Sequence, residues 1–407
     1  MQGRQRRVEK PSPIHEKVIN NKQTDEKCDS LFKRTLKLVF GILFIPIICY
    51  FVFSMSYDYW LKRYRENKYH EVNVPIQSYS SNNYPTVGKF EILDPEVEKL
   101  ISPNTEAFVL GEGFKFVEGP VWNKYDSKGF LLFSDIPNNC IYRWSEETGF
   151  EVYKYESGTS KYNAYTRLEP GTNGLAINPI TKELYMCQHG NRRIFKETLN
   201  FDSYGDIYKE EVVVDNYEQQ ELNSPNDLIF NKYGDLYFTD PPYGLPTQGD
   251  EDSLKQLPFN GVYRINKENN TLSLLYDSLT RPNGIVISPD GFTLYISVSD
   301  PNNKVWMKAS LPDGRTPGSL TTFYNGNDLE GEGLPDGMTV DINGNIYASG
   351  PGGLHIFNPQ GKRIGFLSLP NPPTNAAFGS IDEEGHAYLY ITMKHKLLRI
   401  PTLTHGI

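Results

Sequence analysis

Between Glu118 and the C-terminal end, the chain repeats one pattern six times, and few folds accommodate that. Each repeat has a polar residue opening a short apolar run, then a turn, then a second run that usually reads apolar-Tyr-apolar. The pairs are EGPVW with LLFSD, NGLAI with LYMCQH, NDLIF with LYFTD, NGIVI with LYISVSD, DGMTV with IYASG, and NAAFG with LYITM. The leading polar residues Glu118, Asn173, Asn226, Asn283, Asp336 and Asn375 are spaced 55, 53, 57, 53 and 39 apart. A period of about 50 residues, with two evident strands and room for two more, is that of a propeller blade. NKYGD, SPDGF and DINGN, lying between paired runs, are hairpin signals. The sixth repeat is short, and the apolar run Ala107-Phe108-Val109-Leu110 is expected to supply its outer strand. Closing the ring with both chain ends removes the exposed edges of an open sheet. An open sandwich leaves the sixfold repeat unexplained.

The repeat also locates the chemistry. Each leading polar residue opens an innermost strand, so all six surround one mouth of the central channel. Two carboxylates and four amides form a ring of hard oxygen donors, which suits calcium and not zinc. The competing reading is that Asn or Asp before Gly marks a backbone turn. Six equivalent positions, with Glu118 and Asn226 lacking a turn signature, favour the ring. The second strands run back to the same mouth and deliver Asp135, His189, Asp240 and Asp300 to a second ring. His189 is the one histidine so placed, either an acid, a base or a substrate clamp, or a structural histidine bonded to backbone. Asp240 opens the longest connection, DPPYGLPTQGDEDSLKQLPFNG, which overhangs the mouth with Tyr243 either as a lid or as decoration. No GxSxG occurs, and Cys187 lies within a strand, so water activated at a metal is the expected nucleophile.

Composition narrows the partners. A net charge of -9 excludes a nucleic-acid partner, whose phosphates need a basic surface. The four cysteines are too few for a disulfide scaffold, and Cys140 and Cys187 either pair in an oxidising compartment or lie as buried thiols. Residues 38–55 (LVFGILFIPIICYFVFSM) form an 18-residue stretch without a charge, long enough to cross a bilayer. The preceding 37 residues are too long for an ordinary signal-peptide n-region, and their basic character favours a cytoplasmic N-terminus. The expected architecture is an all-β, six-bladed β-propeller preceded by a single N-terminal transmembrane helix. Its parts are a basic cytoplasmic tail (1–37), a signal anchor (38–55), a stalk (56–103) and the propeller (104–407). That makes a single-pass type II membrane protein with a lumenal or extracellular propeller. Asn269-Asn270-Thr271 is a glycosylation sequon on that side.

From Glu106 to Ile400 the chain resembles the gluconolactonase and regucalcin (senescence marker protein) family. EGPVW, NGLAI with CQHGNRRI, SPNDL with LYFTDPPYGL, RPNGI with SPDG, and LPDGM with GPGGLHIF carry the resemblance. It implies a six-bladed propeller with one divalent cation, often calcium, in the channel. The implied ligands are Glu118, Asn226, Asn283 and Asp336. Asp336 is implied as general base, with Asp240 and His189 as rivals, and Asn173 and Asn375 as contacts to substrate or a ligating water. The implied reaction is hydrolysis of a small-molecule lactone or related ester. An arylesterase or organophosphate hydrolase of the paraoxonase kind, and a non-catalytic calcium-binding propeller, are the alternatives. The apolar stretch and long N-terminal segment depart from the soluble members.

Overall fold

The computed structural model describes residues 76–79, 83–125, 129–160, 167–198, 210–381 and 385–407. Six antiparallel sheets follow one another along the chain, each ordered from an inner to an outer strand. Their inner strands are Val117–Asn123, Thr172–Ile177, Leu228–Phe230, Pro282–Ile287, Met338–Val340 and Asn375–Ile381. This is the six-bladed, all-β propeller read from the repeat. Ala107–Glu112 pairs with Lys396–Thr402 as the fourth strand of blade 6, so the two ends of the propeller close the ring.

The apolar-Tyr-apolar runs become the second strand of each blade, and in blade 3 (Leu236–Asp240) every residue is buried. Side chains from both faces of such a strand pack against neighbouring blades, which is why the runs are apolar nearly throughout rather than alternating. Tyr237 and Tyr347 are among the largest side chains buried this way. The hairpin signals fall at the far end of the channel. Gly234, Gly291 and Gly344 take φ of 86°, 81° and 86° there, a region that glycine enters without strain.

The propeller begins earlier than expected. The compact unit runs from Val74 to Ile407, so the boundary expected at residue 103 falls inside it. Lys89–Ile92 adds a fifth strand to blade 5 and Gln77–Ser78 extends blade 6. The turn of 3-10 helix at Pro95–Lys99 buries Val97, and Ile101 just beyond it is also buried. Weak periodicity made this segment read as a stalk; it is an edge covering, where short strands need little pattern of their own. The stretch 38–55 and the basic tail lie outside the described residues, among which no helix is long and apolar enough to cross a membrane. Cys140 and Cys187 are both free and buried, and burial pushes the Cys140 thiol up to about 12.

Candidate active site and cation-binding ring

Glu118, Asn173, Asn226, Asn283, Asp336 and Asn375 all sit where an inner strand begins, at one mouth of the channel. Glycine follows four of them, and only Gly119, at φ 54°, takes a left-handed conformation. Gly174, Gly284 and Gly337 keep ordinary backbone angles, and their role is to admit the next blade. A Cβ on Gly119 would meet the Asn173 carbonyl oxygen at 2.2 Å, and one on Gly337 would meet the Asn375 carboxamide carbon at 2.0 Å. The missing side chains let each ring residue stack against its neighbour, which draws the six polar groups together.

Hydroxyls bolt the ring from behind. Ser134 Oγ donates to the Asn173 carbonyl (2.8 Å), Thr239 Oγ1 to Asn283 (2.7 Å) and Ser297 Oγ to Asp336 (2.6 Å). Each bond runs from the second strand of one blade to the ring residue of the next. Thr239→Val keeps the shape and leaves the Asn283 carbonyl buried without its donor. A loss of about 1–3 kcal/mol is expected, read as a lower denaturation midpoint. An unchanged midpoint would mean the bond contributes nothing.

Two carboxylates face one another in this ring without a cation. Glu118 is 4% exposed; its Oε2 accepts from the Gly119 N–H (2.6 Å) and from Asn375 Nδ2 (3.2 Å). Among the described residues no Lys, Arg or His forms an ion pair with Glu118 or Asp336. Burial, then the nearby charge of Asp227, pushes the Glu118 carboxyl up to about 8. Burial and the Glu118 charge together hold Asp336 well above the usual carboxylate range. Asn283 turns its amide nitrogen to Ser299 Oγ (3.0 Å), a contact that points the nitrogen away and leaves the oxygen to the channel. The described residues hold no grouping of three or more His, Cys, Asp or Glu side chains suited to a metal. A cation here therefore needs amide oxygens beside the two carboxylates, and the ring supplies them. The donor set fits a hard divalent ion.

The sign of the resulting pH dependence follows for metal-free protein. Glu118 rises from 4.5 to about 8 on folding, so its contribution is complete below 4.5 and disappears as pH rises through 8. Asp227 and Asp336 shift the same way. The denaturation midpoint of chelated protein is expected to fall across that interval, by the proton linkage. A midpoint that rises from pH 5 to 8 would contradict it.

The second ring fares differently. Asp240 is fully buried, and its oxygens accept from the Asn223 (2.8 Å) and Ser224 (2.7 Å) N–H groups. Burial pushes it up to about 7. It braces the loop that carries Asn226. Asp135 does likewise for Lys115 and Phe116 (3.1 and 3.2 Å), and Asp300 accepts from Thr280 Oγ1 at 2.7 Å. His189 is fully buried, with Nδ1 3.1 Å from Glu169 Oε2. The long connection packs inward: Leu245 and Leu257 are buried, and Gly244 N donates to Ser224 Oγ (2.8 Å). Burial and the charge of Asp336 push the Tyr243 phenol up, which places Tyr243 beside the ring.

Two residues escaped the sequence reading. Asp227 occupies the place that glycine holds after the ring residue in four blades; its Oδ1 accepts from Leu228 N (2.9 Å) and its Oδ2 from Ile285 N (3.2 Å). The break from NG to ND was the available signal. Glu169 precedes a repeat and had no signal. Asp227 and the ring residue Asn375 also line a cavity of about 690 Å³ that reaches the far end of the channel, walled in part by Val121, Leu175, Ile285 and Met338.

Comparison with known proteins points the same way. The profile of the SMP-30/Gluconolactonase/LRE-like region matches residues 116–395. A gluconolactonase of Zymomonas mobilis is 39% identical over 334 residues, spanning 80% of this chain and 89% of that protein. The lactonase drp35 of Staphylococcus epidermidis is 28% identical over 220 residues, or 49% of this chain and 63% of that one. Among solved structures, a gluconolactonase of Xanthomonas campestris superposes with a TM-score of 0.64 at 27% identity, covering 78% of this chain and 97% of that chain.

Proposed function

Because this chain belongs to the SMP-30/gluconolactonase/LRE-like family, we propose that it hydrolyses the ester bond of a small-molecule lactone with calcium held in the ring. The observation that carries the cation is the pair of ring carboxylates, buried Glu118 and half-buried Asp336, which feel one another's charge and form no ion pair with a Lys, Arg or His among the described residues. Glu118, Asn226, Asn283 and Asp336 would hold it. Those ligands would let a bound calcium supply Lewis-acid polarisation of the lactone carbonyl and charge stabilisation for an oxyanion. Asp336 takes the proton of the attacking water. Asn173 and Asn375 orient the substrate. Tyr243 and the loop behind it limit access of bulk water. A panel of aliphatic lactones, aryl esters and phosphotriesters, assayed with and without chelator, tests this reading. Chelator-sensitive turnover of the lactones is expected. Turnover of phosphotriesters alone would favour a paraoxonase-like hydrolase, and no turnover a binding module.

The same reading takes 38–55 as a type II membrane anchor, supported by its length and lack of charge. Reporters fused to each terminus are expected to report a cytoplasmic N-terminus and a propeller on the far side. Asn269 is exposed in its hairpin, so a glycan there is expected in a glycosylating cell. A cytosolic propeller would overturn the orientation.

A further inference from the structure

Beside the ring lies a second acidic group that none of the roles above uses. Glu169 is held by two partners from different parts of the chain. Gln248 Nε2, on the long connection, donates to Oε1 at 3.0 Å, and His189 Nδ1 lies 3.1 Å from Oε2. The Glu169 side chain is 20% exposed and His189 behind it is wholly buried. Neither ring nitrogen of His189 has a well-aligned hydrogen-bond partner. An imidazole closed off from water in that state is costly unless it serves the carboxyl beside it.

The surroundings fix this pair in place. Gly244 lies so close that a Cβ there would meet His189 Cβ at 2.6 Å. Arg167 Nη1 donates to the Gly244 carbonyl at 2.5 Å, and His189 N to the Gly171 carbonyl at 3.1 Å. The long connection is therefore tied down over His189, and Glu169 is the member of the pair that reaches open space. Glu169 stands three residues before the inner strand Thr172–Ile177, which carries Asn173, so it borders the same mouth.

Resting on the lactonase reading, we propose that Glu169 is a catalytic acid that protonates the alkoxide released when the lactone ring opens, with His189 a positioning residue that shares its proton. Water adds to the carbonyl carbon and gives one proton to Asp336. The ring C–O bond then breaks, its electron pair stays on the alkoxide oxygen, and that oxygen takes the proton from Glu169. Transfer of the Asp336 proton to Glu169 through solvent restores both groups. The sum is one lactone and one water to one hydroxy acid. General acid catalysis matters most where the leaving oxygen is a poor leaving group.

The dependence on the leaving group is the test. The full chain is assayed on glucono-δ-lactone, which releases an alkoxide, and on dihydrocoumarin, which releases a phenolate. Glu169→Gln preserves the shape and loses the proton. It is expected to slow the first substrate by roughly 10²–10⁴-fold and the second far less, with calcium content unchanged. His189→Asn, a second variant that leaves the carboxyl in place, is expected to show the same selectivity with a smaller loss. Equal losses on both substrates in either variant, or none, overturn the assignment and leave the lactonase reading intact. A wild type that opens neither substrate overturns both.

Discussion

Asp336→Asn is expected to retain at least part of its calcium while losing roughly 10²–10⁴-fold in lactone hydrolysis. The two effects separate because Asp336 has two jobs. As a ring member it contributes an oxygen donor, which the amide oxygen of Asn replaces. As base it must accept a proton, which an amide does not do near neutrality. The variant also removes one of two carboxylates that repel one another across the ring, so the metal-free fold is expected to be no less stable. A variant fully loaded with calcium that turns over lactone like the wild type would reduce Asp336 to a ligand. Asp240 or His189 would then be the better base.

The second large effect is expected at a residue with no side chain. In Gly337→Ala the new Cβ would stand 2.0, 2.3 and 2.4 Å from the carbon, nitrogen and oxygen of the Asn375 carboxamide. That carboxamide donates to Glu118 at 3.2 Å. Blades 5 and 6 must part or Asn375 must leave, and either move disturbs the partner of Glu118. Overpacking of this kind typically costs about 1–3 kcal/mol. A lower denaturation midpoint is expected together with weaker calcium binding and near-complete loss of turnover. The comparison variant is Gly385→Ala, in a loop where a Cβ meets nothing within 4 Å; it is expected to leave calcium binding and turnover intact. Wild-type calcium affinity in Gly337→Ala would show that close stacking of the blades is not what shapes the ring.

Much of this was legible because a propeller writes its site into its repeat. The six ring positions, the closing strand and the far hairpins follow from register alone, since residues at equivalent places in a sixfold repeat must share one end of the channel. What register does not contain was missed. Asp240 stands at a mouth-facing position by count, and what the count does not show is that its carboxylate accepts two N–H groups from the loop before Asn226. Glu169 lies in irregular chain between repeats, and only folding brings it against His189 and Gln248. The Asn-Gly and Asp-Gly pairs show the same limit: a turn signal and a close inter-blade contact both require glycine, and they differ only in backbone angle. Gln77–Ser78, Thr86–Val87 and Lys89–Ile92 are edge strands paired to longer neighbours, so their order depends on partners far along the chain rather than on local pattern.

The central claim, that this ring holds the cation on which lactone opening depends, is most directly tested by calcium titration into the chelated full chain beside Glu118→Gln. The wild type is expected to take up a single calcium, with glucono-δ-lactone hydrolysis returning in proportion to occupancy. Glu118→Gln, having lost one of the two ring carboxylates, is expected to bind far more weakly and to remain inactive at concentrations that saturate the wild type. Full calcium occupancy in Glu118→Gln, or undiminished lactone hydrolysis by the chelated wild type, would contradict it.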